Sequence, residues 1–184
     1  MSRSRDVANI VTVAPGLYAT DSEVASTLTG YVTPSSSDTL TNKTLTDPVI
    51  NGAVLKSAEE IVTTSATAAS GTVDIDLVTS SVHYYTSDAS ANWTFNIRGD
   101  SSTTLNSILN VGASISCVFL ITNGSTAYYP NEYLVDGGSA TVYFQGGTWP
   151  SSGNALSVDA YTFTVLKTAD ATFTVFGAQT QFGN

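Results

Sequence analysis

The chain has 184 residues, enough for one domain of ordinary size with an arm and for a sizeable hydrophobic core. Only 11% of them are charged, hydroxyl residues are abundant and the formal net charge is −9, which argues against a disordered polyampholyte and against a grip on nucleic acid, where clustered Lys and Arg are needed. No apolar run approaches the roughly 18 residues of a membrane-spanning helix, so membrane insertion is not expected.

In chain order, residues 1–33 form a first unit. Val7, Ile10, Val11 and Val13 suit a short helix or an extended segment, Ala14-Pro15-Gly16 ends it, and Asp21 to Leu28 predicts a short helix capped by Asp21 or Ser22. The unit is too small for a core of its own and reads as an attachment arm. No continuous apolar stretch marks a secretory signal there. Residues 34–56 follow a serine run and hold Leu40 and Leu45 between threonines, then Asp47-Pro48, Val49-Ile50 and a turn at Asn51-Gly52. The segment is too polar to make a core within one chain, yet Leu40, Leu45, Val49 and Ile50 need cover. Burial against identical copies answers both demands and predicts a trimeric neck.

Residues 57–184 carry ten acids against only Arg98 and Lys167, a formal −8 out of the chain's −9, and read as strands throughout. Thr72 to Val78 and Trp93 to Ile97 alternate with period two, with Ser81 to Thr86 between them. Leu105, Ile108, Leu109 and Val111 fit one helical turn capped by Ser101 or Ser102. Ile115 to Ile121 is an unbroken apolar run, expected at the domain's centre and buried on both faces. Asn123-Gly124 marks a turn, Tyr128 to Pro130 and Tyr133 to Val135 flank a second, and Asp136 to Gly138 marks a third. Thr141 to Gln145 is a strand. Ala160 to Leu166 and Ala171 to Phe176 pair as a hairpin. The expectation is an all-β chain: a C-terminal sandwich, jelly-roll-like, preceded by an extended arm and neck, with no internal repeat of clear period.

Candidate chemistry is sparse. His83 is the only histidine; a Ser–His–Asp site would need it, and three copies could meet on a threefold axis, but a structural histidine is the better reading. Asp74 and Asp76 share one face of a strand and read as its solvated side rather than as a hydrolase pair or a calcium site. Arg98-Gly99-Asp100 spells an adhesion tripeptide that chance readily supplies. Three glycosylation sequons, at Asn42, Asn92 and Asn123, matter only in a secretory pathway. Cys117, the single cysteine, lies in an apolar run and reads as a buried small side chain. Tyr143 and Tyr161, alternating with polar neighbours, are expected in the core. Tyr128, Tyr129 and Trp149 lie beside Gly and Pro, hence in loops, and are the candidate contact surface. No metal or cofactor is expected.

The run Ser36-Ser37-Asp38-Thr39-Leu40-Thr41-Asn42-Lys43-Thr44-Leu45-Thr46-Asp47-Pro48-Val49-Ile50-Asn51-Gly52-Ala53-Val54-Leu55 resembles a segment that recurs in tail-fibre and related structural proteins of tailed bacteriophages. The likeness extends loosely to Ser4 to Ile10 and to Trp149-Pro150 with Val158 to Val165. It implies a homotrimeric virion protein without enzymatic turnover: an arm (1–33) that binds other virion proteins, a neck (34–56) and a β head (57–184) able to contact host-surface glycan. A capsid-surface decoration protein is the alternative within that class, and a carbohydrate-binding or glycan-cleaving β-domain the alternative outside it. For cleavage the acids would be Asp74 with Asp76, or Glu132 with Asp159.

Overall fold

The computed structural model describes residues 40–45 and 48–183. The readings on residues 1–33 lie outside the described residues. The chain divides into two units, Met1–Val54 and Leu55–Asn184. In the first, the described residues form no strand or helix. The second is a β-domain.

Its strands are β1 (Val62–Ser65), β2 (Gly71–Asp76), β3 (Val82–Tyr85), β4 (Trp93–Arg98), β5 (Ser114–Asn123), β6 (Pro130–Val135), β7 (Gly138–Ser139), β8 (Thr141–Phe144), β9 (Ser157–Ala169) and β10 (Thr172–Phe182), with one helical turn, α1 (Leu105–Ile108), between β4 and β5. They make a six-stranded sheet, β1-β3-β5-β9-β10-β8, and a four-stranded sheet, β2-β4-β6-β7, packed as a sandwich. The expected all-β sandwich is present.

The wiring inside it is less ordinary. From β1 to β6 successive strands alternate between the sheets, and β1, β3 and β5 pair in parallel, as do β2, β4 and β6. The chain therefore winds through three coils, each placing one strand in each layer. Like side chains stack along the coils: Val73, Phe95 and Tyr133 are in register, as are Ile75, Ile97 and Val135. Antiparallel β9 and β10 then cover the third coil, and β8 closes the sheet in parallel with β10. The arches also stack. Ser90 N donates to Ala69 O at 3.1 Å and Ala89 N to Thr122 O at 2.9 Å. Such bonds satisfy backbone groups that the crossings would otherwise leave unpaired.

The core lies between the layers, on the inward residues of each strand. Trp93, Phe95, Phe119, Tyr161 and Phe163 are all at most 1% exposed. Phe95 is the hub: its ring lies 4.7 to 5.9 Å from those of Trp93, Phe119, Tyr133, Tyr161 and Phe163.

Several local expectations are corrected. β1 has no counterpart in the sequence reading. No turn separates Tyr128 to Pro130 from Tyr133 to Val135, because Asn131 and Glu132 continue β6 in register with β4. Asn123-Gly124 ends β5 but leads across to the other sheet. β5 is central, yet only one face is fully buried; Val118 and Leu120 on the other are half-buried, because no layer covers that side. The cap of α1 is Thr104, which accepts from Ser107 N at 3.1 Å, while Ser101 and Ser102 sit upstream. Tyr161 is fully buried, but Tyr143 is 55% exposed: Phe144 takes the inward position on β8, so strand alternation turns Tyr143 out.

One buried carboxylate is under-satisfied. Asp159, 0% exposed on β9, accepts from Asn154 N at 3.0 Å and Asn123 Nδ2 at 3.1 Å through Oδ2, while Oδ1 has no partner. Burial raises its pKa above the ordinary carboxylate range, although bonds from Asn154, Gln179 and Asn123 pull the other way. A raised folded-state pKa means that the folded chain holds the proton more tightly. The stability this contributes is present below the unfolded pKa of about 3.9 and is lost as pH rises through the folded value. Asp159→Asn is therefore expected to stabilise the domain at pH 7 by on the order of 1 kcal/mol, with the gain shrinking toward pH 4. Urea midpoints of the two proteins at both pH values read this directly, and a gain independent of pH would assign it to packing instead.

Candidate functional site

The described part of residues 34–56 is bare. Leu40, Leu45, Val49 and Ile50 are 49%, 55%, 89% and 59% exposed, and Val54, Leu55 and Ile61 are more open still than Leu45. The local backbone explains why no strand forms. Asn42 and Ser57 sit at φ 53°, and Gly52 at φ 65°, so left-handed turns interrupt any pairing run. The result is a length of chain whose apolar side chains are about half or more exposed among the described residues.

The loop aromatics are placed in two settings. Trp149 is half-exposed in the loop after β8, its ring edge-on to Tyr133 at 5.0 Å, so it partly seals one end of the core. Tyr128 and Tyr129 lie in the β5–β6 crossing, half-buried. Asn123 clamps the first through both its backbone groups, and Asn92 Oδ1 accepts from Tyr129 N at 3.1 Å. The two loops meet at Gly153, where any Cβ would collide with the Tyr128 carbonyl oxygen. Among the described residues no ring contact joins Tyr128 or Tyr129 to Trp149.

Asp74 and Asp76 do share one face of β2, and both engage Arg98 of β4, at 3.1 Å to Nη1 and 2.6 Å to Nε. Asn96 Nδ2 donates to Asp74 Oδ1 at 2.7 Å. These groups are about a third exposed, so each pair contributes at most about 1 kcal/mol. Here the parallel register explains the pairing, since Asp74 faces Asn96 and Asp76 faces Arg98. The same register commits the adhesion-like tripeptide to structure: Arg98 is held by the acids, Gly99 sits where any Cβ would collide with the Thr103 carbonyl oxygen, and Asp100 accepts from Ser102 N and Thr103 N at 2.7 Å each. The acids border an open groove of about 530 Å³ with Thr63, Ser65, His83 and Tyr85. Among the described residues no three His, Cys, Asp or Glu are grouped to hold a metal ion.

His83 faces inward and is buried. Its Nε2 lies 3.1 Å from Ser80 O and 3.5 Å from Ser80 Oγ, and burial lowers its pKa. The Ser80 hydroxyl donates to Val82 O at 2.9 Å, so its proton is engaged in the turn. This is the structural histidine that the sequence favours. Glu132 accepts from Thr94 Oγ1 at 2.9 Å on the outside of the four-stranded sheet, whereas Asp159 is buried in the other layer, so the two acids share no concave face. Cys117 is buried, which pushes its thiol up to about 12.

No helix among the described residues is long and apolar enough to cross a membrane. Compared with protein-family models, curated proteins and solved structures, the chain matches none.

Proposed function

We propose that this chain is a structural protein of a tailed-phage virion, a small tail fibre or fibre-like appendage built as a homotrimer. The observation that carries the reading is the uncovered apolar segment from Leu40 to Ile61. Half-burying one such side chain contributes roughly 1 kcal/mol, and wrapping on other copies is one way for side chains on residues described without strand or helix to gain it. The resemblance of residues 36–55 to fibre segments supplies the class. In this reading residues 1–33 bind other virion proteins, the neck joins three copies, and the β-domain projects outward without turnover. The loops of Tyr128, Tyr129 and Trp149 are then available to host glycan.

Light scattering on the full-length protein is expected to give about three times 19.1 kDa. Gold-labelled antibody against the β-domain should mark the tails of purified particles. Label on the heads would assign a decoration protein, and unlabelled particles with a single-chain mass would end the proposal.

A further inference from the structure

The two outer faces of the domain differ sharply in charge. The four-stranded sheet turns Asp74, Asp76, Arg98 and Glu132 outward. On the six-stranded sheet the only acids or bases within the strands, apart from His83, are Asp159 and Lys167, and all three point inward and are buried. Its outer face therefore carries no charge on any of six strands.

What it carries instead is ordered by register. One row runs Val62, Val82, Val118, Thr162 and Ala178. Another runs Ser116, Thr164, Phe176 and Tyr143, and the last two rings stack at 5.5 Å with 20° between their planes. Tyr143, Phe176, Phe182 and Val62 are 55%, 48%, 52% and 47% exposed. Charge depletion together with aromatic enrichment marks the core of a subunit interface, whereas solvated sheet faces bear charges that deter association.

The occupant follows from charge and size. A chain of net charge −9 repels its own copies wherever acids face each other, so copies approach at lowest cost through a neutral face. A basic partner would find nothing there to pair with. Thr and Ser hydroxyls both donate and accept, so rows of them are complementary to themselves. Strands about 4.8 Å apart with ~3.3 Å per residue give a face on the order of 700 Å², close to the ~800 Å² per partner of a standard interface. β1 begins with Val62 directly after exposed Ile61, so in sequence the face follows on from the bare apolar segment.

We propose that copies of this chain pack on one another through the outer face of the six-stranded sheet, with the Tyr143–Phe176 pair inside the contact. The proposal rests on the homo-oligomer reading above and names the surface that the domain brings to it.

The test uses the full-length protein. Phe176→Asp and, separately, Thr162→Lys place a charge on the face without touching the core. Each is expected to raise the concentration at which the oligomer dissociates by at least ~30-fold, with unchanged circular dichroism, while Thr72→Lys on the other sheet leaves it unchanged. A spin label at Thr162→Cys, with buried Cys117 unlabelled, should show dipolar coupling between copies, and one at Thr72→Cys should show much less. An oligomer that both charged variants leave intact, without coupling at 162, overturns the proposal but leaves the appendage standing on its neck. A wild-type protein that is single-chained at all concentrations overturns both.

Discussion

Phe95→Ala is expected to destabilise the β-domain by about 4 kcal/mol, within the range for removing a fully buried aromatic ring. The ring is 0% exposed and touches five other aromatic rings from both layers, so its loss opens a cavity that no single neighbour can fill. Edge-to-face contacts of this kind add roughly 0.5–1.5 kcal/mol each beyond the area they bury. Against a total stability of about 5–15 kcal/mol, the variant should melt on the order of 15 °C lower or fail to accumulate folded. Phe95→Leu keeps most of the volume and should retain the fold. Thermal unfolding of both variants is the measurement. A loss below about 1 kcal/mol for the alanine variant would mean that the two sheets do not meet at Phe95.

If the proposed trimer forms through this segment, replacing Leu40, Leu45, Val49 and Ile50 together with serine dissociates it while the β-domain stays folded. Each side chain stands about half or more exposed in the isolated chain and offers roughly 1 kcal/mol on burial. Four of them give about 4 kcal/mol per copy, a factor on the order of a thousand for each copy in the assembly. Sedimentation across a concentration series reads the shift, and near-ultraviolet circular dichroism reports whether the aromatic core is intact. A variant that assembles as tightly as the wild type would show that the segment is a linker and that the copies are held elsewhere.

The exposure of Leu40, Leu45, Val49 and Ile50 was legible because apolar residues set singly or in a pair among Thr, Asn, Asp and Pro offer too few neighbours for a local core, and the structure leaves the same four side chains about half or more exposed. Much of the strand content was legible too. Thr72 to Val78 alternates because Val73 and Ile75 enter the core while Asp74 and Asp76 face Arg98 outside. The β9–β10 hairpin followed from two apolar runs around a short polar turn, and it forms with Asp170 and Ala171 at its tip. Tyr143 was misplaced because in Thr141-Val142-Tyr143-Phe144 either parity offers aromatic residues to the core, and only the approach of Gly177 to the Phe144 ring decides it; a Cβ there would lie 2.8 Å from that ring.

From the sequence by itself came the all-β class, the positions of most strands, the split between a strand-poor segment before residue 57 and a strand-rich remainder, and the structural reading of His83 and Cys117. All of these are local: alternation, turn chemistry and charge are written residue by residue. The partners of each strand were decided only in three dimensions. Period two fixes which face a side chain takes but not which strand lies beside it. The coils advance unevenly, from Val62 to Val82 and then to Val118, because the second crossing holds α1, so no period survives in the sequence. The uncharged face became visible only then, since its rows are assembled from strands as far apart in the chain as Val62 and Ala178 and exist only once parallel and antiparallel pairing has brought them side by side.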